Sequence, residues 1–368
     1  MLELILDKEC HNGHHARQPG AWHWQLEARG DNAHYCYYFH FTLRASEAGE
    51  AVVDVAPDGD LPEGRDSFRR HRPEAVWLSR GSGWERHPVA PDGPPDCIRL
   101  RAPLEAGAAV SLSRMRPAPY SGVRERLAAL AGMPGARPFS LGRSAEGREV
   151  PGLEIGTGPA RLLVLAGQHP AEFGGTEAVL GIAEWLLSRA PEAGEVRARF
   201  TTSVAPVLNP DGNVQGRTGC NARGEDLYRA FSEASGGARP AAPEAALLWD
   251  WIAERRPVLS LNFHTYTQPS PTGDFPWEGL YTAPDEAFPD ESARERQRRL
   301  DDLLAWETDG LSQSGRFSLH VPGALEYQLA ALGVLNAFYE VQDVVGLFRQ
   351  RRTGVRVLRT ALRARESG

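Results

Sequence analysis

The segment Arg161–Arg189, RLLVLAGQHPAEFGGTEAVLGIAEWLLSR, constrains the fold of this chain more than any other. Its first part, LLVLA, is a continuous apolar run and reads as a strand buried on both faces. A tight polar turn carrying His169 and Glu172 follows, and then an amphipathic helix. Open α/β sheets place ligand sites just beyond the carboxyl ends of their strands. A histidine and a carboxylate at this spacing in such a turn can bind one divalent metal.

The alternation continues downstream. Val123–Ala131 reads as a helix, Leu153–Ile155 and Leu162–Ala166 as strands, Gly175–Ser188 as a helix and Thr202–Leu208 as a strand. Then come helix Pro243–Glu254, strand Val258–Phe263, helix Ala293–Ser314, strand Val334–Tyr339 and a last helix near Val355–Arg363. Strands alternating with helices imply a sheet covered on both faces. Up to Arg116 the pattern differs. Short runs rich in Val, Ile, Tyr, Trp and Phe (Ala21–Leu26, His34–Leu43, Ala51–Val55, Ala75–Leu78, Cys97–Arg101, Val110–Met115) are separated by turn clusters such as PDGDLPEG and RGSG. That is the signature of an antiparallel sandwich. With 368 residues two domains are expected. They are placed at 1–116, an all-β sandwich, and 117–368, an α/β/α domain, with RPAPYSG as the linker.

Composition excludes several classes. The chain is 41% hydrophobic and 24% charged, with a mean hydropathy of −0.41. Its net charge of −7 argues against nucleic acid or an anionic membrane as partner. No run approaches the roughly 18 apolar residues of a membrane span, and MLELILDKEC does not read as a signal peptide. Cys10, Cys36, Cys97 and Cys220 lack CxxC spacing and are expected to be free thiols, which makes the cytoplasm the expected location. Cys10, His11, His14 and His15 sit close together near the amino terminus, and a polar loop is the simpler reading of them than a metal cluster.

Several strands of the second domain end in residues of catalytic type: His169, Asn209, His264 and Glu340. Hydrolytic zinc takes three protein ligands and keeps a fourth position for water. His169, Glu172 and His264 make a two-histidine, one-carboxylate set, while the HExxH helix is absent.

Four segments then carry a resemblance. Gln168–Leu187 resembles the first metal-binding segment of the zinc carboxypeptidases (the funnelin metallopeptidases). NPDGNVQGRTGCNARGEDLYRAF, Asn209–Phe231, is similar to their NPDG…R…GVDLNRNF segment. LNFHTY resembles the third-ligand strand, and FYEVQ the strand bearing the catalytic glutamate. Their order and approximate spacing match from about Pro119 to the end, and the preceding all-β domain resembles the layout of the cytosolic carboxypeptidases. The resemblance implies one Zn2+ held by His169, Glu172 and His264, with Glu340 as general base towards the attacking water. It implies Asp226 as the carboxylate behind the first histidine and Arg229 as the fork gripping the substrate's terminal carboxylate. Arg217, with Arg223 as competitor, would polarise the scissile carbonyl.

The chain also departs from the pattern. Tyr228 replaces the asparagine before Arg229, and Ala230 the one after it. RFSLHVPG lacks the family's tyrosine, for which His320, Tyr327 and Tyr281 are candidates. Asp274 or Glu278, in the loop Thr267–Asp290, are candidates to recruit a basic side chain. The expected activity is hydrolysis of an amide bond next to a free carboxylate, on a peptide or small amide. A deacylase or amidase of small N-acyl amino acids, and a catalytically impaired zinc-binding module, stand as alternatives.

Overall fold

The computed structural model describes residues 1–232, 238–267, 277–306, 313–318 and 321–366. They form two compact units, 1–119 with 212–220, and 120–211 with 221–368.

In the first unit the strands are β1 (Leu2–Ile5), β2 (His14–Gly20), β3 (His23–Ala28), β4 (His40–Ala45), β5 (Gly49–Pro57), β6 (Ala75–Ser79), β7 (Glu85–Pro88), β8 (Ile98–Leu104) and β9 (Ala109–Ser113), with a short helix α1 (Arg65–Arg70). One sheet has the order β1-β4-β9-β6-β7 and the other β2-β3-β5-β8. Period-2 alternation sends one face of each inward. Phe41, Leu43, Val110 and Leu112 from the first sheet share a core with Val53, Val55, Ile98 and Leu100 from the second; the unit is a sandwich as expected, though not wholly antiparallel, since β3 and β5 pair in parallel.

The run His34–Leu43 is only partly strand, since the ladder starts at His40. Tyr37, Tyr38 and Phe39 are nevertheless buried. Tyr38 donates its hydroxyl to the Cys10 carbonyl at 2.8 Å, and the Tyr37 ring stacks on His71 at 3.9 Å. Burial accounts for their aromatic character where pairing does not. Gly212–Cys220 packs into this unit as well. Asn12 donates its side-chain amide to the Gly216 carbonyl at 2.7 Å, and Asp31 accepts the Gly219 and Cys220 amides at 2.7 and 2.9 Å. All four cysteines are free.

The second unit carries α2 (Tyr120–Ala131), β10 (Ala136–Arg143), β11 (Glu149–Ile155), β12 (Ala160–Ala166), α3 (Phe173–Leu186), α4 (Pro191–Arg199), β13 (Phe200–Ala205), α5 (Pro210–Val214), α6 (Pro243–Arg255), β14 (Leu259–Tyr266), β15 (Trp277–Thr282), α7 (Glu291–Trp306), β16 (Gln313–Ser318), α8 (Leu325–Ala331), β17 (Leu335–Gln342) and α9 (Leu347–Glu366). Its eight-stranded sheet has the order β10-β11-β13-β12-β14-β17-β15-β16. The centre, β13-β12-β14-β17, is parallel, while β10, β11 and β15 bring antiparallel pairings. Leu163 and Leu165 pack on one face with Leu248 and Trp251 of α6 and with Leu325 and Leu329 of α8. Helices α3 and α9 pack together, and α3 also lies against β12 and β14.

Two boundaries differ from the sequence reading. The helix expected to reach Ser314 is described as far as Trp306, and Gln313–Ser318, part of which was expected to be helical, instead pairs in parallel with β15. The last helix begins at Leu347, not Val355. Gly354, unfavourable inside a helix, masks its first turns in the sequence. It is needed because α3 passes so close that a Cβ there would lie 2.3 Å from the Ala178 carbonyl oxygen.

Gly354→Ala therefore sets helix propensity against overpacking. Overpacking typically costs about 1–3 kcal/mol, more than the roughly 1 kcal/mol that alanine gains over glycine. Urea denaturation should show net destabilisation; a more stable variant would refute the close-approach argument.

Candidate metal centre

Strand β12 ends at Gly167, whose φ of +74° is one that residues with a Cβ rarely adopt. The turn that follows delivers His169 and Glu172, and α3 starts at the next residue. Gly175 lets α3 abut the end of β14, since a Cβ there would lie 2.4 Å from the Phe263 carbonyl oxygen. That approach brings Glu172 to His264. Thr265 closes the junction from both sides: its amide donates to Glu172 Oε2 at 3.1 Å, and its hydroxyl accepts the Gly175 amide at 3.0 Å.

Three donors converge in the resulting space. His169 Nδ1 lies 2.8 Å from Glu172 Oε1, His264 Nδ1 lies 2.8 Å from Glu172 Oε2, and the two Nδ1 atoms are 3.2 Å apart. All three residues are buried. Each ring's other nitrogen faces an acceptor, Asp226 Oδ1 at 3.3 Å for His169 and Gln168 Oε1 at 2.9 Å for His264. In the tautomer with both protons on Nε2, the two Nδ1 lone pairs are aimed at one point.

Protonation energetics fit a cation site. Burial opposes charging of His169, but Glu172 and Asp226 outweigh it and lift its pKa to about 10. Burial would raise Glu172, yet the two imidazoles hold its carboxylate well below the usual range. Burial lowers His264. A carboxylate flanked by two inward-facing imidazole nitrogens needs positive charge between them, and two nitrogens plus one carboxylate are a donor set suited to zinc with a fourth position left over.

Glu340 is carried by β17, where its Cα partner across the ladder is that of His264. Its Oε2 is buried without a hydrogen-bond partner among the described residues. Burial first, and then the negative charge of Glu172, push its pKa well above the carboxylate range. Phe338 stacks on the His264 ring at 4.0 Å and 22°. Tyr228 and Tyr281 pack on Phe338 at 5.3 and 5.2 Å, so an aromatic wall borders the histidines.

The DLYR motif bends back on itself around Asp226. Its Oδ1 accepts the Tyr228 amide at 3.0 Å, and its Oδ2 lies 3.2 Å from Arg229 Nε. One carboxylate thus holds the outer nitrogen of a ligand histidine and a half-exposed guanidinium. Arg229 also lies over the Tyr228 ring at 5.8 Å.

Other candidates fall elsewhere. Arg217 belongs to the first unit, with Nε donating to Gln215 Oε1 at 2.7 Å and Nη1 3.8 Å from Asp31 Oδ1. Arg223 is exposed in a turn capped by Asn221. Glu278 is not available to a substrate: it is fully buried, accepts from Thr353 Oγ1 at 2.7 Å and pairs with Arg356 at 2.6 Å. Of the candidate replacements for the family tyrosine, Tyr281 stands in the aromatic wall and Tyr327 packs on Ala283, Ala287 and Phe288. His320 and Asp274 lie outside the described residues. Asn209–Gly212, read as a turn, is instead helical from Pro210, the first residue of α5.

Sequence reading missed a buried amide chain behind His264. Gln168 Oε1 accepts from Asn262 Nδ2 at 2.9 Å, and Asn262 Nδ2 also donates to Glu326 Oε1 at 2.8 Å. Burial lifts the Glu326 pKa to about 7. Asn262, two residues before His264 in a strand, must face the same way, and that is the only signal the sequence carried.

Comparison with known proteins agrees with this geometry. Residues 127–300 match the zinc carboxypeptidase family model. The chain is 27% identical over 293 residues to cytosolic carboxypeptidase 2 of Danio rerio, covering 71% of this chain and 40% of that protein. It is 32% identical over 108 residues to cytosolic carboxypeptidase 4 of Mus musculus, covering 29% and 10%. The chain thus spans from a tenth to two fifths of the length of these relatives. Its fold is shared by a metallo-carboxypeptidase from Burkholderia cenocepacia, with TM-score 0.82 at 19% identity and 100% of both chains covered. A metallo-carboxypeptidase from Pseudomonas aeruginosa, solved with (2-guanidinoethylmercapto)succinic acid, aligns with TM-score 0.79 at 19% identity over 97% of each chain.

Two outcomes follow. Asp226→Asn should weaken zinc binding by about 10- to 100-fold, measured by chelator competition. For Glu326 the folded pKa of about 7 exceeds its ordinary 4.5, so the folded state holds the extra proton and stability falls as pH rises between these values. Moving from pH 5 to pH 8 at fixed zinc should cost the wild type on the order of 3 kcal/mol more than it costs Glu326→Gln, read from denaturation midpoints at the two pH values.

Proposed function

Since residues 127–300 match the zinc carboxypeptidase family model, we propose that the protein is a zinc-dependent metallocarboxypeptidase. It would hydrolyse the amide bond next to a free carboxylate at the end of a peptide. The observation that carries this reading is the convergence of His169 Nδ1, His264 Nδ1 and the Glu172 carboxylate, beside a carboxylate, Glu340, that has an unsatisfied buried oxygen.

Zinc held by these three residues lowers the pKa of a water towards about 7 and draws charge from a carbonyl. The remaining work falls to the chain. Glu340, desolvated and beside the Glu172 charge, has its proton affinity raised towards the working range of a general base. It takes the proton from the attacking water and returns it to the leaving amine. Asp226 keeps the His169 tautomer fixed, and Gln168 does the same for His264. Arg229 binds the terminal carboxylate through its guanidinium fork. The motif order gives Arg217 the part of polarising the scissile carbonyl, an assignment resting on sequence alone.

Tyr228 favours a second reading. The phenol that replaces the expected asparagine packs edge-on against His169 at 5.8 Å and His264 at 6.0 Å. An aromatic ring there suits an apolar acyl or aryl group and keeps open the deacylation of small N-acyl amino acids.

Glu340→Gln should abolish turnover while zinc stays bound at wild-type stoichiometry; retained activity would remove Glu340 as the base. Arg229→Ala should raise KM far more than it lowers kcat on a substrate with a free carboxylate, and should have no effect on its amide. Arg217→Ala should lower kcat by the equivalent of about 3 kcal/mol if it polarises the carbonyl. A C-terminally diverse peptide pool assayed beside N-acyl amino acids by mass spectrometry separates the two substrate readings.

A further inference from the structure

We propose that His14, Glu27 and Asp58, with His15 alongside, form a second divalent-cation site, on the edge of the sandwich sheet of the first unit. His14 and Glu27 are Cα partners across β2 and β3, so their side chains leave the same face. In a regular strand His15 would then point away. It does not, because the ladder register breaks between His14 and Arg17 and His15 takes a left-handed φ of 46°. Its ring stacks instead on that of His14, at 4.1 Å and 11°. Such irregularities re-aim side chains, and here one collects two imidazoles on one side.

The carboxylates come pre-positioned. Glu27 Oε2 accepts the Gly59 amide at 2.8 Å. Asp58 accepts the Gly30 amide at 2.8 Å and the Asp60 amide at 2.9 Å. His14 Nε2 lies 3.2 Å from Asp58 Oδ1 and 3.8 Å from Glu27 Oε2, and His15 Nδ1 lies 3.1 Å from Glu27 Oε2. Asp60 Oδ2 stands 3.3 Å from His15 Nε2 on the open side.

Two independent observations point to a cation, and not simply to ion pairs. Among the described residues, His14 Nε2 is buried and has no partner in hydrogen-bonding geometry, despite an oxygen at 3.2 Å. Nitrogen and oxygen that close but misaligned for a shared proton have the separation of two ligands on one metal. The second observation is electrostatic. Elsewhere in this unit the paired carboxylates have a permanently charged partner: Asp54 has Arg99 as well as His23, Asp96 has Arg69 and Glu47 the amino terminus. Among the described residues, Glu27, Asp58 and Asp60 pair with these two histidines alone. With neutral imidazoles the cluster is a net anion, which a divalent ion offsets. Two imidazoles with carboxylates suit zinc and its first-row neighbours better than calcium or magnesium. Cys10 and His11 take no part. The Cys10 thiol lies 3.3 Å from Asn213 Oδ1, and His11 packs edge-on against His40.

The test is zinc stoichiometry on the metal-stripped full chain, by equilibrium dialysis with elemental analysis. The wild type should bind two equivalents. A His14→Gln/Glu27→Gln variant should bind one, and its retained equivalent shows that the chain is folded. A His169→Gln/His264→Gln variant should also bind one, lost when the two pairs are combined. His15→Ala, at an exposed position, should weaken only the second equivalent, by the roughly 10-fold expected of a lost flanking partner. A single equivalent in the wild type, or two in the His14/Glu27 variant, overturns the proposal. Neither result touches the catalytic assignment, which fails separately if the His169/His264 variant keeps wild-type turnover.

Discussion

The second unit is organised around one carboxylate, that of Glu172, buried between two imidazoles. A buried charge is tolerable only when paired and hydrogen-bonded, and every neighbouring feature serves that condition. Gly167 turns the chain at the end of β12, and Gly175 lets the helix lean onto β14. Thr265 donates its amide to the carboxylate, and the two histidines present nitrogen to each of its oxygens. Removing any one would leave an uncompensated charge among apolar strands. The close packing of α3 on α9 through Gly354 holds the same helix from its other side.

Outside this knot the polar groups are arranged as two supports of different character. Behind His169 stands Asp226, an ionised partner that also engages Arg229, so the tautomer of the metal site and the position of a substrate-facing guanidinium share one anchor. Behind His264 stands a chain of neutral amides, Gln168 and Asn262, ending in Glu326, whose proton is retained by burial up to about pH 7. An anionic support raises the basicity of one ligand, while a neutral one fixes the other without adding charge. Between them the net charge of the centre stays close to what one divalent ion can balance.

Much of this was legible in the sequence, and the reasons are specific. His169 and Glu172 are local, held together by one turn. His264 and Glu340 end apolar strands, where period-2 reading is dependable. The legible residues are those whose chemistry is set by their own segment. Gln168, Asn262 and Glu326 were not legible because their meaning is tertiary: three separate elements meet, and nothing in any one of them announces a buried network. Glu278 was misread for a related reason, since an acidic residue in a long loop looks solvent-facing until Thr353 and Arg356 arrive from a distant helix. Tyr35–Phe39 looked like a strand because burial and pairing leave the same aromatic trace. The left-handed His15 had no sequence signal, as histidine does not advertise a positive φ the way glycine does.

The discontinuity of the first unit has a consequence for how the chain is made. Its strands are complete by Ser113, yet Asn12, Asp31 and the backbone around Cys10 find their partners in residues 212–220. A ribosome emitting this sequence releases a sandwich with open polar seams, and must extend the chain through the first segment of the second unit, 120–211, before those seams close. The usual order, in which an amino-terminal domain finishes before its successor begins, is therefore unavailable. Maturation of the two halves is interlocked in time, and the interval of synthesis between Ser113 and Cys220 is when the nascent chain most needs protection.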